Sequence, residues 1–256
     1  MPATRPLLGV VAGEPYRSDE RPAMILRYLR DMPHGEVLSL GCGNGSVELQ
    51  LARATPQLSY RCIDISAKAI GEAERAKHSK DYSDLKNIRF EVADNMKVKD
   101  EGMVAILRLR TAGDWEKLVP CLKPGGVLVY EGIGSYDGNA APKWADVFKG
   151  VLHEDYSGVK RFTENKRQLG GLGLRLLEER LFYACHAYKR ESLRPGIKRF
   201  LFHRREYRKR LRQRGASFER DFEIVKENWH RTLGTCSPES YPLGYAHIWL
   251  VYSKPE

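Results

Sequence analysis

Short apolar runs alternate with helical patterns through the first half of the chain. The runs predict strands at 36–41, 59–64, 88–93, 103–110 and 127–131. Between them, apolar residues recur every three to four positions and predict helices, the first of which is capped by Ser18 or Asp19 and ends near Arg30. Strands that alternate with helices in this way indicate a parallel sheet covered on both faces.

The second half of the chain has a weaker pattern. It predicts a helix near 164–172, a strand at 180–188 and a strong last strand at 244–252. Between these two strands, residues 194–233 carry two apolar stripes at helical spacing, with Gly215 ending the first helix and Ser217 capping the second. We interpret this stretch as a helical hairpin whose apolar seam docks on itself or on the sheet.

The composition says more about the class of partner that the protein binds than about its fold. The 256-residue chain has a formal charge of +10, which favours an anionic partner such as nucleic acid, a membrane surface, or a phosphorylated or carboxylated substrate. We expect no membrane span, since no run of about 18 apolar residues occurs, and no signal peptide. Five dispersed cysteines then predict a cytoplasmic protein with reduced thiols.

The stretch 189–214 is rich in Lys and Arg, and aromatic residues are interleaved with them. One interpretation is a surface that follows a phosphate backbone, with Phe200, Phe202 and Tyr207 next to it. The other is a solvated helix face whose aliphatic stems shield the apolar seam. The spacing of the aromatic residues favours the second interpretation.

The most informative stretch joins the first strand to its helix. Gly41, Gly43 and Gly45 stand at this junction, where positive φ angles and close approach of a ligand to the backbone are allowed. The helix that follows presents unpaired N–H groups. Asp64 and Asp94 end the next two strands, and such strand ends converge on one crevice in an open α/β sheet. A nucleoside-type ligand suits this crevice, with its ribose hydroxyls on Asp64.

Together these motifs resemble the class I S-adenosylmethionine (SAM)-dependent methyltransferases. The matching segments are 38–46 (LSLGCGNGS), 62–66 (CIDIS), 92–94 (VAD) and 121–126 (CLKPGG), where KPGG is interpreted as a turn. The resemblance covers about residues 20–132. It implies an α/β fold, a Rossmann-like doubly wound seven-stranded sheet with the last strand antiparallel. It also implies SAM as the cofactor.

The resemblance assigns each part of SAM to residues of the crevice. The methionine end is expected at the glycine turn, the ribose at Asp64, and the adenine at Asp94 and Asn95. The full set of expected SAM-binding residues is Gly41, Cys42, Gly43, Gly45, Asp64, Ile65, Asp94, Asn95 and Met96. A nicotinamide dinucleotide is the competing cofactor, but its fingerprint requires glycine or alanine where Ser46 stands.

Other residues are candidates for the acceptor side of the site. Arg108 and Arg110 share one face by strand period and, with Glu131, are expected to contact the substrate. They can grip a carboxylate or phosphate, although two arginines that snorkel at a strand end are an equal alternative. His153 and Tyr16 are the candidate catalytic residues. No histidine spacing suits a metal, so no metal is expected.

We therefore predict one SAM-dependent methyltransferase domain over 1–256. It would have an N-terminal helical cap at 1–34, a SAM-binding half at 35–132, and a helical hairpin insert at 189–240 that acts as a lid before the last strand. The expected acceptor is an O or N atom of a small molecule, for which an anionic group is one option. The rivals are an RNA or protein methyltransferase that docks its substrate on 189–214, and a non-catalytic SAM-binding module.

Overall fold

The computed structural model describes residues 20–99, 101–111, 113–135, 144–152, 158–202, 205–212, 215–233 and 240–256. Strands in this part of the chain form a seven-stranded sheet in the order β3-β2-β1-β4-β5-β7-β6. Their bounds are β1 (Gly35–Leu40), β2 (Leu58–Asp64), β3 (Ile88–Val92), β4 (Met103–Leu109), β5 (Leu122–Ser135), β6 (Arg175–Lys189) and β7 (Ser240–Ser253).

Helices connect most of these strands. Their bounds are α1 (Arg21–Leu29), α2 (Ser46–Ala54), α3 (Ala67–Lys77), α4 (Trp115–Cys121), α5 (Trp144–Val147), α6 (Gly158–Gly171), α7 (Arg190–Phe202), α8 (Arg205–Arg210) and α9 (Phe218–Leu233). A short 3-10 helix, Asn95–Lys97, follows β3. The insert before β7 thus contains α7, α8 and α9, where the sequence predicted a hairpin of two helices.

The direction of the strands confirms the predicted sheet. β1 pairs in parallel with β2 and β4, β2 with β3, and β4 with β5. At the far side of β5, the Gly125 N–H donates to the Lys254 carbonyl, and the Lys254 N–H donates to the Gly126 carbonyl, both at 2.9 Å. The start of β5 therefore faces the end of β7, so β7 runs antiparallel to its neighbour.

Local signals set most of the element boundaries. The hydroxyl of Ser66 accepts the Ala69 N–H at 3.2 Å and caps α3, and the hydroxyl of Ser217, the predicted cap, accepts the Arg220 N–H at the start of α9. One local prediction is wrong, because the segment 123–126 lies inside β5 and is not a separate turn. Gly125 takes a φ of 72° there while its backbone stays paired with β7.

The chain divides into two compact units. The first takes its described residues from the ranges 17–132, 163–180 and 248–256, and it contains the glycine turn. Its core includes the fully buried apolar side chains of β1 and β4, among them Val37, Leu38, Ile106 and Leu107. The second unit takes its described residues from 133–162 and 181–247. The division of the chain into cap, SAM-binding half and lid stays a prediction.

The second unit is built around its own apolar cluster. The buried members are Val147, Phe148, Val151, Leu193, Ile197, Leu201, Tyr207, Phe218, Phe222, Val225 and Trp229. Phe200 packs against this cluster and Tyr207 belongs to it, whereas Phe202 is about one-third exposed. Two of the three aromatic residues in the basic stretch therefore serve the seam of the insert, as their spacing indicated.

Arg210 joins α8 to α9 through an ion pair, and it joins α8 to residues 148–152 through hydrogen bonds. One Arg210 nitrogen donates to the carbonyls of Gly150 and Val151, and the other donates to Asp221 Oδ1 at 2.6 Å. We expect Asp221→Asn to weaken the insert by about 2 kcal/mol, because it removes the charge from a buried hydrogen bond. Hydrogen exchange should become faster in α8 and α9 but not in β1. The exposed Glu223→Gln variant is the control, and equal exchange in the two variants would contradict this role.

Candidate active site at the strand ends

The glycine turn links β1 to α2 through three positive φ angles. Gly41, Gly43 and Gly45 have φ values of 65°, 59° and 71°. The Gly41 and Cys42 N–H groups both donate to the Ile63 carbonyl, at 2.8 and 3.1 Å, so the turn is fixed to β2. The backbone of this turn is preorganised before any ligand binds.

The three glycines differ in what surrounds them. A Cβ at Gly41 would lie 2.6 Å from Thr111, and a Cβ at Gly45 would lie 2.5 Å from the Phe90 ring, so packing alone requires both. A Cβ at Gly43 would meet nothing within 4 Å. This open space on the face of the turn is where a ligand can approach the backbone.

Asp64 and Asp94 occupy the ends of β2 and β3, as predicted. Asp64 Oδ2 accepts the Gly43 N–H at 3.0 Å, and its Oδ1 accepts the Ser66 N–H at 2.8 Å. Asp94 Oδ1 accepts the Met96 N–H at 3.0 Å. Both side chains are only partly buried, so each carboxylate is fixed in direction while it remains open to a ligand.

Apolar side chains next to these carboxylates are unusually exposed. Ile65 directly follows Asp64 and is 75% exposed, and Met96 lies two residues after Asp94 and is 43% exposed. In the 3-10 helix after β3, Asn95 Nδ2 donates to Thr111 Oγ1 at 2.9 Å, which ties this helix to the loop after β4. Exposed apolar side chains beside hydrogen-bond-accepting carboxylates are chemically suited to an adenosine, which has an apolar ring face, ribose hydroxyls and an exocyclic amine.

The first turn of α2 carries a buried acid that the sequence analysis did not single out. Glu48 is 2% exposed, and its Oε1 accepts the Ser39 hydroxyl at 2.7 Å. Burial raises the pKa of Glu48, while the hydrogen bond from Ser39 opposes that rise. A signal was present, because Leu51 and Ala52, three and four residues after the acid, put it on the apolar side of an amphipathic helix.

The cysteines of this unit are thiols with no catalytic environment. Cys62 and Cys121 are buried, whereas Cys42 lies in the turn and is partly exposed. Burial, followed by the nearby Glu48 and Asp64, raises the pKa of Cys42 well above its usual range. Cys42 is thus protonated at neutral pH and is a poor nucleophile.

A buried carboxylate lies at the carboxyl end of β5. Glu131 is fully buried, and its oxygens pair with the Arg21 guanidinium at 2.8 Å and with Arg110 Nε at 3.5 Å. Arg110 directly follows β4, takes a φ of 57°, and keeps 41% of its side chain exposed. We call these three residues the Glu131 cluster. It holds two cations and one anion, so its net charge is positive.

Arg108 lies apart from this cluster. Its guanidinium is 3.9 Å from the Trp115 ring centroid and 5.2 Å from that of Tyr130, and Nε donates to the Thr111 carbonyl at 3.0 Å. Because Tyr130 and Glu131 are successive strand residues, they face opposite sides of the sheet. The prediction that Arg108 and Arg110 share one face is therefore wrong. β4 ends at Leu109, and the positive φ of Arg110 breaks the strand period.

The two candidate catalytic residues, His153 and Tyr16, lie outside the described residues. In the part of the chain that the structure describes, no cluster of His, Cys, Asp and Glu could hold a metal ion. None of the described helices combines the length and the apolar character needed to cross a membrane.

Comparison with known proteins finds a family model and relatives that match parts of this chain. Residues 15–106 match the family model of the methyltransferase small domain. The trans-aconitate 2-methyltransferase of Deinococcus radiodurans is 30% identical over 140 residues, which cover 52% of this chain and 50% of that protein. The ribosomal RNA small subunit methyltransferase C of Shewanella halifaxensis is 37% identical over 68 residues, 27% of this chain and 19% of that protein. The chain thus spans half or less of the length of these relatives.

A solved structure extends the likeness over nearly the whole fold. It is a SAM-dependent methyltransferase from Thiobacillus denitrificans in complex with S-adenosyl-L-homocysteine, with 16% identity and a TM-score of 0.55, covering 94% of this chain and 93% of that one. The glycine turn and the acidic ends of β2 and β3 occupy the places that the sequence motifs predicted. The matched family model, these relatives and this fold together indicate a class I SAM-dependent methyltransferase, a family whose cofactor is SAM.

Proposed function

We propose that the protein transfers a methyl group from SAM to an oxygen or nitrogen atom of a small anionic acceptor. The observation that carries the acceptor class is the positive Glu131 cluster at the ends of β4 and β5. Thr111, one residue after Arg110, packs against Gly41 of the glycine turn. The exposed guanidinium of Arg110 therefore lies next to the part of the crevice assigned to the methionine end of SAM.

The residues around the crevice fit SAM in both shape and charge. Gly43 leaves room for the cofactor, Asp64 would accept ribose hydroxyls, and Asp94 would accept the exocyclic amine. Ile65 and Met96 would cover the adenine faces. When bound, SAM supplies a sulfonium methyl group that an oxygen or nitrogen nucleophile can attack.

The same residues count against a dinucleotide. A pyrophosphate needs the free N–H groups and the positive end of a helix N-terminus. Here Asp64 already accepts the Gly43 N–H, and Glu48 places a carboxyl in the first turn of α2. With one turn N–H already taken by a carboxylate and a second acidic side chain next to it, this turn is a poor place for a pyrophosphate.

The Glu131 cluster also explains how an acceptor could react without a strong base. Glu131 is held by two guanidinium groups, so its role is to position them rather than to remove a proton. A carboxylate acceptor held by Arg110 is already a nucleophile and needs no general base. Orientation next to the methyl group would then supply most of the rate. The similarity to a methyltransferase named for trans-aconitate, a small carboxylate, supports this acceptor class.

Calorimetry with SAM, followed by assays of S-adenosylhomocysteine formation, tests this proposal. We expect turnover with a small carboxylate from a panel that includes trans-aconitate, and none with the matching amides. Arg110→Ala should raise the acceptor KM by roughly tenfold, the size expected for one charged hydrogen bond, while the Kd for SAM stays unchanged. Arg30→Ala, an exposed arginine of the same unit, is the control. An unchanged KM in Arg110→Ala would contradict the assigned acceptor site.

A second candidate is methylation of RNA, which the similarity to an rRNA methyltransferase supports. The exposed cations of α7 and α8 would be its docking surface; they are Arg194, Lys198, Arg199, Arg208 and Lys209. RNA binding that weakens steeply with salt, together with methylated RNA as a product, would favour this candidate. Tight SAM binding without turnover on any acceptor would favour a non-catalytic module.

A further inference from the structure

Glu48 lies directly under the glycine turn. The turn runs from Gly41 to Gly45, the N-cap of α2, and Glu48 follows three residues later in the first helical turn. Its carboxyl points to β1, where Ser39, two residues before Gly41, donates to it at 2.7 Å. The carboxyl therefore lies between β1 and α2, the strand and the helix that flank the glycine turn, where the methionine end of SAM is expected.

The surroundings of this acid supply little positive charge. The charged and titratable groups that face it come from three parts of the structure: Arg21 on α1, Cys42 in the turn, and Tyr60, Cys62 and Asp64 on β2. The cation among them, Arg21, is already paired with Glu131 at 2.8 Å. Glu48 itself forms no salt bridge within the described ranges, so a cation in the crevice would complete its environment.

We propose that Glu48 is a specificity-determining residue that favours SAM over S-adenosylhomocysteine, an inference that rests on the proposed function. The two molecules differ by a methyl group and by one positive charge, because the sulfonium of SAM becomes a neutral thioether. A buried carboxylate beneath the methionine end attracts the sulfonium through a medium of low dielectric constant. It has no such interaction with the product, so it helps the product to leave.

This arrangement links SAM binding to a proton. Burial raises the pKa of Glu48, so the free protein holds the carboxyl proton more tightly than a solvated glutamate would. A bound sulfonium favours the charged form, so SAM binding should release a proton, whereas the neutral product should not. The affinity for SAM should accordingly rise as the pH rises through the pKa of Glu48, and the affinity for the product should stay flat.

Calorimetry on the full chain measures both effects. In Glu48→Gln, which keeps the shape and can still accept the Ser39 hydroxyl, we expect the ratio of SAM affinity to product affinity to fall roughly tenfold, mainly through weaker SAM binding. The exposed Glu116→Gln variant should keep the wild-type ratio. Titrations of the wild type in buffers of different ionisation enthalpy should show proton release with SAM and none with S-adenosylhomocysteine.

The outcomes separate this inference from the function on which it rests. If the wild type binds both molecules and folded Glu48→Gln keeps the wild-type ratio, Glu48 is only a structural residue of α2 and the inference is wrong. Equal proton release by the two ligands in the wild type would also overturn it, and that measurement does not depend on the folding of any variant. Failure of the wild type to bind either ligand would instead overturn the proposed function, and the inference with it.

Discussion

Glu131→Ala is expected to lower the free energy of unfolding by about 3–5 kcal/mol, the usual cost of breaking a buried ion pair from one side. Glu131 is fully buried, and the Arg21 side chain is 8% exposed, so removal of the carboxylate leaves a buried guanidinium without its 2.8 Å partner. Arg110 would lose its contact as well, but its exposed guanidinium can turn to water. The loss therefore comes mainly from Arg21.

Denaturant unfolding followed by hydrogen exchange of β4 and β5 would measure this effect. The double variant Arg21→Met with Glu131→Leu removes both charges, and we expect it to be much closer to the wild type than Glu131→Ala. Asp84→Ala breaks the exposed pair with Arg53 and should leave the unfolding midpoint unchanged. A Glu131→Ala variant no less stable than Asp84→Ala would show that the cluster does not hold α1 to the sheet.

Local sequence signals were sufficient for the cofactor half of the site. The apolar run of β1, the glycines after it and the Ser217 cap of α9 are each determined within a few residues, and all were found where the sequence predicted them. The ends of β2 and β3 followed from the topology, because parallel strands bring their carboxyl ends to one edge of the sheet.

The proposed acceptor side depends on contacts that no local sequence pattern contains. Arg21 and Glu131 are separated by 110 positions, so their pairing could not be inferred from either segment. Arg108 and Arg110 looked equivalent by strand period until the positive φ of Arg110, rare for a residue with a side chain, sent the second guanidinium to the other face. Glu48 was overlooked because a single acid in a helix is normally solvated, and only the packing of α2 on β1 buries it.

Gly43→Ala is expected to abolish most SAM binding while the protein stays folded. The φ of 59° costs alanine about 1 kcal/mol, and no described atom lies within 4 Å of the new Cβ, so packing of the free protein is unaffected. The methyl group would project into the open space over the turn, where the cofactor is expected. Overpacking of this kind costs about 1–3 kcal/mol, which is roughly a tenfold to hundredfold loss of SAM affinity.

Gly102→Ala is a matched control for this variant. Gly102 also has a positive φ, 77°, with nothing within 4 Å of a new Cβ, but it precedes β4 and so lies at the opposite edge of the sheet. Both variants should lose a similar amount of stability in thermal unfolding, while calorimetry should show weakened SAM binding only in Gly43→Ala. Equal SAM affinity in the two variants would mean that the cofactor does not lie over the glycine turn. Gly41 and Gly45 cannot make this distinction, because a Cβ there collides with Thr111 or Phe90 and would damage the fold before it reached a ligand.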